Sequence, residues 1–329
     1  LVCCLRFRCG WQKRSRGGKT MENKTGNNKA YKIVSLVVLV ILAILFLFPL
    51  YWIITGAFKP ATDIYAQKPV WWPSEWTMNN FSNLMNKRTA PLWEISLPFS
   101  KYFTESGEKI ILSEGVVAPA VFRWLLNTVF MAVSAMLLTC FTATMAGYAL
   151  AKKRFRGRSI LFGLIICAMA LPKQVVLIPL LKEMSAIGLY NTIWAIIFPT
   201  VGWPFGVFLM KQFSESVPGE ILEAARIDGA SEWYTFAHIV FPMVKPGVGA
   251  LAIFTFINSW NDYFMQLVMV SSNVNYTIPL GIATLQAETS VDMGMLMAGA
   301  ALASLPIIIV FLIFQKYFTQ GITMGAVKG

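Results

Sequence analysis

The sequence predicts an all-α, polytopic membrane protein with six transmembrane helices. Three observations lead there. Of its 329 residues, 56% are hydrophobic and only 13% charged, whereas a soluble domain carries about 25% charge. Six segments offer the roughly 20 apolar residues that a helix needs to cross hydrocarbon: 33–57, 121–151, 159–181, 190–210, 246–270 and 295–318. The lysines and arginines favour alternate connecting pieces, the bias that sets membrane orientation.

The first piece, 1–32, is a basic tail with nine of these cations, from Arg6 to Lys32. Residues 1–20 differ in texture from the rest of the chain, and Met21-Glu-Asn-Lys-Thr reads as a natural beginning, so the ordered protein is expected to start near Met21. Gly18-Lys19-Thr20 resembles the end of a phosphate-binding loop, but that pattern needs Gly at position 13, where Lys13 stands. Cys3, Cys4 and Cys9 lie in this tail, while Cys140 and Cys167 sit inside apolar spans as small hydrophobes. With His238 the only histidine, no zinc ligand set can be completed.

The first span, 33–57, is free of charge from Ile33 through Phe48 and is too long for a signal-peptide core. The loop 58–120 comes next. Its Trp71, Trp72 and Trp76 suit either an interfacial belt or a docking surface, and 88–118 alternates charge with short apolar runs that suit a few strands. After the second span, five cations crowd into Lys152–Arg158. The third and fourth spans carry Pro172, Pro179, Pro199, Gly202, Pro204 and Gly206, and the sixth carries Pro306. Such residues mark kinks or close helix packing. Gly202 and Gly206 form a GxxxG pair, which Pro204 makes a poor dimer surface.

With the N-terminus inside, the pieces 1–32, 152–158, 211–245 and the tail from Lys316 are cytoplasmic and hold nineteen Lys/Arg. The pieces 58–120, 182–189 and 271–294 are outside and hold seven. Both termini are therefore expected in the cytoplasm. The net charge of +12 is explained by this placement and by anionic lipid, which excludes nucleic acid as a partner.

Between the fourth and fifth spans lies a polar island, Pro218 to Pro242. Pro218 suits a first helical turn, Glu220 the positive end of the helix dipole, and Gly229 a left-handed stop. Ile221, Leu222 and Ala225 share one face. Ser231 is a plausible cap for a second helix, on which Trp233, Phe236, Ala237 and Val240 recur at helical spacing, ended by Pro242 and Pro246. The outcome is either a tethered helix-turn-helix or an amphipathic loop lying on the membrane surface.

Within the fifth span, Asn258, Asn261 and Asp262 stand at i, i+3, i+4 and share a face. Polar groups at membrane depth are costly and mark a solute path, or they bond a neighbouring helix and hold the fold. Lys173 and Gln174 after Pro172 allow the same two readings.

The island resembles the EAA loop of permease subunits from ATP-binding-cassette importers. Glu223-Ala224-Ala225, then Gly229, Ile239 and Pro242, match that pattern in order and spacing, with Asp228-Gly229-Ala230 in register. More specifically, Pro204–Phe213, Ser259-Trp-Asn-Asp262 and the ending Gln315–Gly329 resemble the maltose-transporter G-type permeases of oligosaccharide importers. The resemblance implies an importer type I permease fold, with a core permease domain over 121–329 and a coupling loop over 211–245. It implies a heterodimer with a second permease subunit, two ATPase subunits that hold the ATP and magnesium, and an extracytoplasmic solute-binding protein that delivers a sugar. The chain itself would carry no cofactor and no catalytic residue, and would sit in a bacterial plasma membrane. Glu223 would be the charged contact to an ATPase, Ala224 and Ala225 its close-packing surface, and Gly229 the turn. The loop 271–294 would reach into the binding protein, and the small, flexible tail Gly321–Gly329 would approach the ATPases. Alternatives are a permease for glycerol phosphate or another polar solute, an ATP-independent carrier, which would not need the Glu223 to Pro242 pattern, and a membrane enzyme, for which only Asp262 is securely within a span.

Overall fold

The computed structural model describes residues 25–92, 95–96, 111–113, 115–287 and 292–326. The expectations for the tail before residue 25, the start near Met21 and its three cysteines included, lie outside the described residues. The chain divides into two units, Leu1–Tyr51 and Trp52–Gly329, each taken by itself.

The first unit is the greater part of helix α1, Thr25–Ala57. Its stretch from Tyr31 to Ala57 is apolar enough to cross a membrane. The side chains from Ile33 to Phe48 are almost all exposed, which water would penalise and lipid tails would not.

The second unit begins with the last turn of α1. The short helices α2 (Ala61–Ile64) and α3 (Asn79–Lys87) come after it. Buried Asn80 donates to the Ala57 and Lys59 carbonyls at 3.0 and 2.8 Å, meeting acceptors that the end of α1 leaves open. Trp71 meets Trp52 edge-on and Trp72 meets Trp76, all three loop tryptophans remaining more than half exposed. Burial pushes the Lys59 ammonium below the usual lysine value, against the pull of Asp63.

The strands expected within 88–118 are present. β1 (Thr89–Leu92) pairs antiparallel with β4 (Val116–Pro119), Thr89 opposite Pro119. Inside that pair, β2 (Ile95–Ser96) meets β3 (Ile111–Ser113).

Further helices and two short helical turns build the body: α4 (Ala120–Lys152), α5 (Arg158–Met169), α6 (Lys173–Ala186), α7 (Trp194–Val201), α8 (Pro204–Glu215), α9 (Gly219–Ile227), α10 (Glu232–Thr235), α11 (Phe241–Asn261), α12 (Tyr263–Met269), α13 (Ile278–Gln286) and α14 (Met293–Ala326). Among the described residues, five helical stretches are long and apolar enough to cross a membrane, six if the bent pair α5 and α6 counts as one. The central helix is α4, which packs on α7, α8, α11 and α13. Its approach to α8 is close: a Cβ on Gly147 would lie 2.6 Å from the backbone of Met210 and Lys211.

Four features of the sequence take definite form. The third span is not straight. It breaks after Met169, and α6 leaves α5 at 106°, because Pro172 has no N–H to give and holds extended backbone at ψ 130°. The fourth is interrupted at Gly202-Trp203 and runs on to Glu215. Its Gly206 packs on Ala143 and Leu251 of this same chain, while Gly202 is exposed. The polar loop 271–294 is bonded to the body of the chain. Asn127 donates to the Val274 and Tyr276 carbonyls at 2.7 and 2.9 Å, and Asn191 accepts from the Ser271 and Ser272 amides. These bonds strap it down, and α13 then buries Ile278, Leu280 and Leu285. Residues 288–291 lie outside the described residues. The expected flexible tail is helical through Ala326, since α14 continues that far.

Candidate functional site

The polar island folds as two short helices joined by a tight turn. Helix α9 starts at Gly219 with Pro218 as its N-terminal flank and Glu220 in the first turn. It ends on Gly229, whose φ of +77° is left-handed. The Gly229 amide donates to the Arg226 carbonyl at 3.2 Å and the Ala230 amide to the Ala225 carbonyl at 2.9 Å. That double bond pattern closes a helix with glycine just past its end. Ser231 then accepts from the Tyr234 amide at 3.2 Å, capping α10.

The second helix departs from its expected form. Pro242 and Pro246 do not end it; α10 and α11 join into one helix from Glu232 to Asn261. Between them Phe236–Val240 forms a π turn, whose extra residue shifts the apolar face. Trp233 is therefore 58% exposed, and Thr235, Phe236 and Val240 are buried instead. Phe236 packs against Tyr148 of α4, ring centroids 5.7 Å apart. On α9 only Ala225 is buried; Ile221 is exposed and Leu222 half-buried.

The predicted residues of the island thus separate. Glu223, Ala224, Asp228, Gly229 and Pro242 are exposed, and Ile239 is half-buried. Glu223 also borders a cavity of about 670 Å³ shared with Lys152, Lys153, Arg226 and Glu232. Ile227, to which no sequence motif points, is 85% exposed beside Ala224 and Asp228, leaving an apolar side chain at the edge of that surface. His238 stacks on Tyr234 at 4.2 Å and is exposed, and no cluster of three metal-ligating side chains occurs among the described residues.

Lys152 and Lys153 were legible only as orienting charge. Lys152 donates to the Glu215 and Val217 carbonyls at 3.1 and 2.6 Å, closing the end of α8. Lys153 pairs with Glu232, to which Arg226 adds a contact at 3.7 Å. Burial pushes the Lys153 ammonium down, but Glu232 and Tyr148 together hold it above its usual value. No local sequence signal reports the contacts of Lys152 and Lys153, because they join residues 63 to 79 positions apart.

The second group, Asn258, Asn261 and Asp262, does share a face, bordering one shallow pocket with Lys173. Asn258 and Asn261 each bond a carbonyl of their own helix, at Phe254 and Ile257. Asp262 ends α11, accepts from the Met265 amide to cap α12, and lies 3.6 Å from Lys173. Gln174 is exposed. Tertiary structure, not the sequence spacing, brings Lys173 to this group.

A set of apolar spans, two of them interrupted, carrying an exposed helix-turn-helix at the end of a continuous helix, has the build of a membrane transport subunit. Residues 143–324 match the family described as binding-protein-dependent transport system inner membrane component. The arabinooligosaccharides transport system permease protein AraQ of Halalkalibacterium halodurans is 32% identical, over 88% of this chain and 93% of the relative. AraQ of Bacillus subtilis is 31% identical over 91% and 96%. Among solved structures, that of a bacterial transporter involved in the import of the acidic polysaccharide alginate superposes with a TM-score of 0.68 at 20% identity, over 90% of this chain and 99% of that one. The chain belongs to the family of inner-membrane components of binding-protein-dependent transport systems. It is a multi-pass permease subunit, not an enzyme.

Proposed function

We propose that the chain is one of two permease subunits of an ATP-driven importer that takes sugar, chiefly oligosaccharide, from a solute-binding protein across the bacterial plasma membrane. Two ATPase subunits supply the energy and hold ATP and magnesium; both termini and the helix-turn-helix lie on their side of the membrane. The observation that carries this reading is the form of Glu223–Pro242. Glu223, Ala224, Asp228 and Gly229 are exposed around a tight turn, and its second helix is continuous with a membrane-depth helix. Glu223, Ala224, Asp228 and Ile227 form the outward surface toward an ATPase groove. Ala225 and Gly229 set the shape of that surface, and Ile239 and Pro242 join it to α11. The names of the relatives support oligosaccharide as the cargo.

The two-state element that such a switch needs is the helix-turn-helix with α11. In proteoliposomes holding both permeases and both ATPases, Glu223→Ala and Gly229→Val are expected to lower sugar uptake and binding-protein-stimulated ATP hydrolysis together, at least tenfold, with the chain still inserted. Unchanged coupling in both variants rejects the assignment.

A further inference from the structure

The loop that leaves α1 folds back against it. Trp71 meets Trp52 edge-on at 5.9 Å, five residues before the end of α1 at Ala57. Thr77 then donates its amide to the Phe58 carbonyl at 2.9 Å, and the Trp76 ring lies 5.5 Å from that of Phe58. Residues 69–76 thus run beside the last turns of α1 and rise again to its end. The foot of the same loop is tied to another span. The Met293 amide donates to the Tyr65 hydroxyl at 3.2 Å, and Met293 opens the apolar stretch of α14.

Helix length gives the depth of this loop. The apolar stretch Tyr31–Ala57 has 27 residues, about 40 Å at 1.5 Å each. Hydrocarbon is about 30 Å thick, and about 40–45 Å with the headgroups. The last turns of α1, and Trp71 beside them, therefore fall at headgroup level. Tryptophan suits that level, which is apolar on one side and wet on the other.

The backbone is prepared for a medium poor in water, where each peptide group needs a partner. In Pro69-Val-Trp-Trp-Pro73 both prolines lack an N–H. The Val70 carbonyl accepts from the Lys59 ammonium, and the Ser74 amide donates to Asp63 at 2.8 Å. Lys59 is only 2% exposed and sits 4.1 Å over the Trp52 ring, so its charge is directed inward. Trp71, Trp72 and Trp76 are instead 60%, 61% and 56% exposed, and the segment from Pro69 to Pro73 carries no charge. Exposed Lys68 precedes it, a cation for the phosphate layer.

We propose that residues 68–76 are a lipid-binding loop, seated in the headgroup layer of the outer leaflet, that holds the end of α1 at a fixed depth. The occupant of its aromatic face is phospholipid rather than protein. The face lies beside Trp52, within a stretch long and apolar enough to cross the membrane, and backbone groups behind it are taken by Lys59 and Asp63. The proposal stands on the membrane-span reading of α1, not on the cargo.

The test uses the assembled transporter in vesicles of phosphatidylethanolamine with one quarter phosphatidylglycerol. In a background lacking the chain's five cysteines, a nitroxide is attached at Trp72→Cys, at Phe46→Cys within the apolar stretch of α1, and at Val116→Cys on the exposed ribbon. Collision with oxygen, which partitions into lipid, and with a neutral nickel chelate, which stays in water, reports depth. The oxygen-to-nickel ratio at Trp72→Cys is expected at least threefold above that at Val116→Cys, below that at Phe46→Cys, and unmoved by loaded binding protein. Trp71→Cys gives the same measurement should Trp72→Cys fail to assemble. A ratio equal to that at Val116→Cys means a water-bathed loop, and one equal to that at Phe46→Cys a loop within hydrocarbon; either overturns the proposal. Low collision with both reagents means that a neighbouring protein covers the loop, and a change on adding binding protein means a docking surface. Either of these overturns it as well.

Discussion

Asp262 serves two neighbours at once. One carboxylate oxygen accepts from the Met265 amide and starts α12; the other lies near Lys173 across the α5–α6 break. The two roles separate by substitution. Asp262→Asn keeps an acceptor for the cap and loses only the charge, so stability should change little. Asp262→Ala loses both, and a cap is worth about 1 kcal/mol. Thermal unfolding in detergent should rank native and Asn together, with Ala below them; equal loss in both variants would show that the charge pair dominates. The sequence marked Asp262 as a costly group at membrane depth, but its cap and its Lys173 contact depend on where α11 stops. Gly229 was more legible, since one glycine after a helical run suffices to predict a left-handed end, and the φ of +77° agrees.

Among elements, the contact of α4 with α8 is the least forgiving. Gly147→Ala would push a methyl carbon against the Met210 and Lys211 backbone at 2.6 Å, where no side chain can turn aside. Overpacking of this kind costs about 1–3 kcal/mol, so the variant should unfold several degrees lower and assemble poorly. The pairing of Lys153 with Glu232 is weaker, the side chains being 32% and 65% exposed. Glu232→Gln should cost under about 1 kcal/mol and less in high salt. Because Glu232 helps to raise the Lys153 pKa, the stabilisation is full below the usual lysine value of 10.5 and fades as pH climbs through the higher folded value. On the alkaline side, native protein and variant should therefore converge in thermal stability above pH 10.5. Elements with local signals were readable: the Ser231 cap, the Gly229 stop and the strands near 89–119. The π turn and the shift it gives Trp233 were not, because they arise from packing Phe236 against Tyr148 rather than from any residue's own preference.

At the scale of the whole molecule, the number of apolar stretches was readable from hydropathy, but not their continuity. Prolines and glycines flagged the third and fourth spans as irregular; that their breaks face each other and the end of α11 depends on three-dimensional packing. Orientation gives a direct check. Asp228 and Val116 are both exposed, and the charge bias puts them on opposite sides. In intact cells a membrane-impermeant thiol reagent should label Val116→Cys and spare Asp228→Cys, and in inverted vesicles the order should reverse. Labelling of both from the same side would refute the assigned topology.

The uninterrupted helix from Glu232 to Asn261 is a lever arm. Its 30 residues, at about 1.5 Å each, make a rod of roughly 45 Å. A tilt of about 5° then swings one end some ~4 Å relative to the other, without breaking a bond along the way. Ser231 and the left-handed glycine sit at one tip of this rod, and Asn258 and Asp262 at the other. On the proposed coupling role, a push on the small exposed hairpin would be felt at the far tip, where Asn258 and Asp262 border a shallow pocket with Lys173.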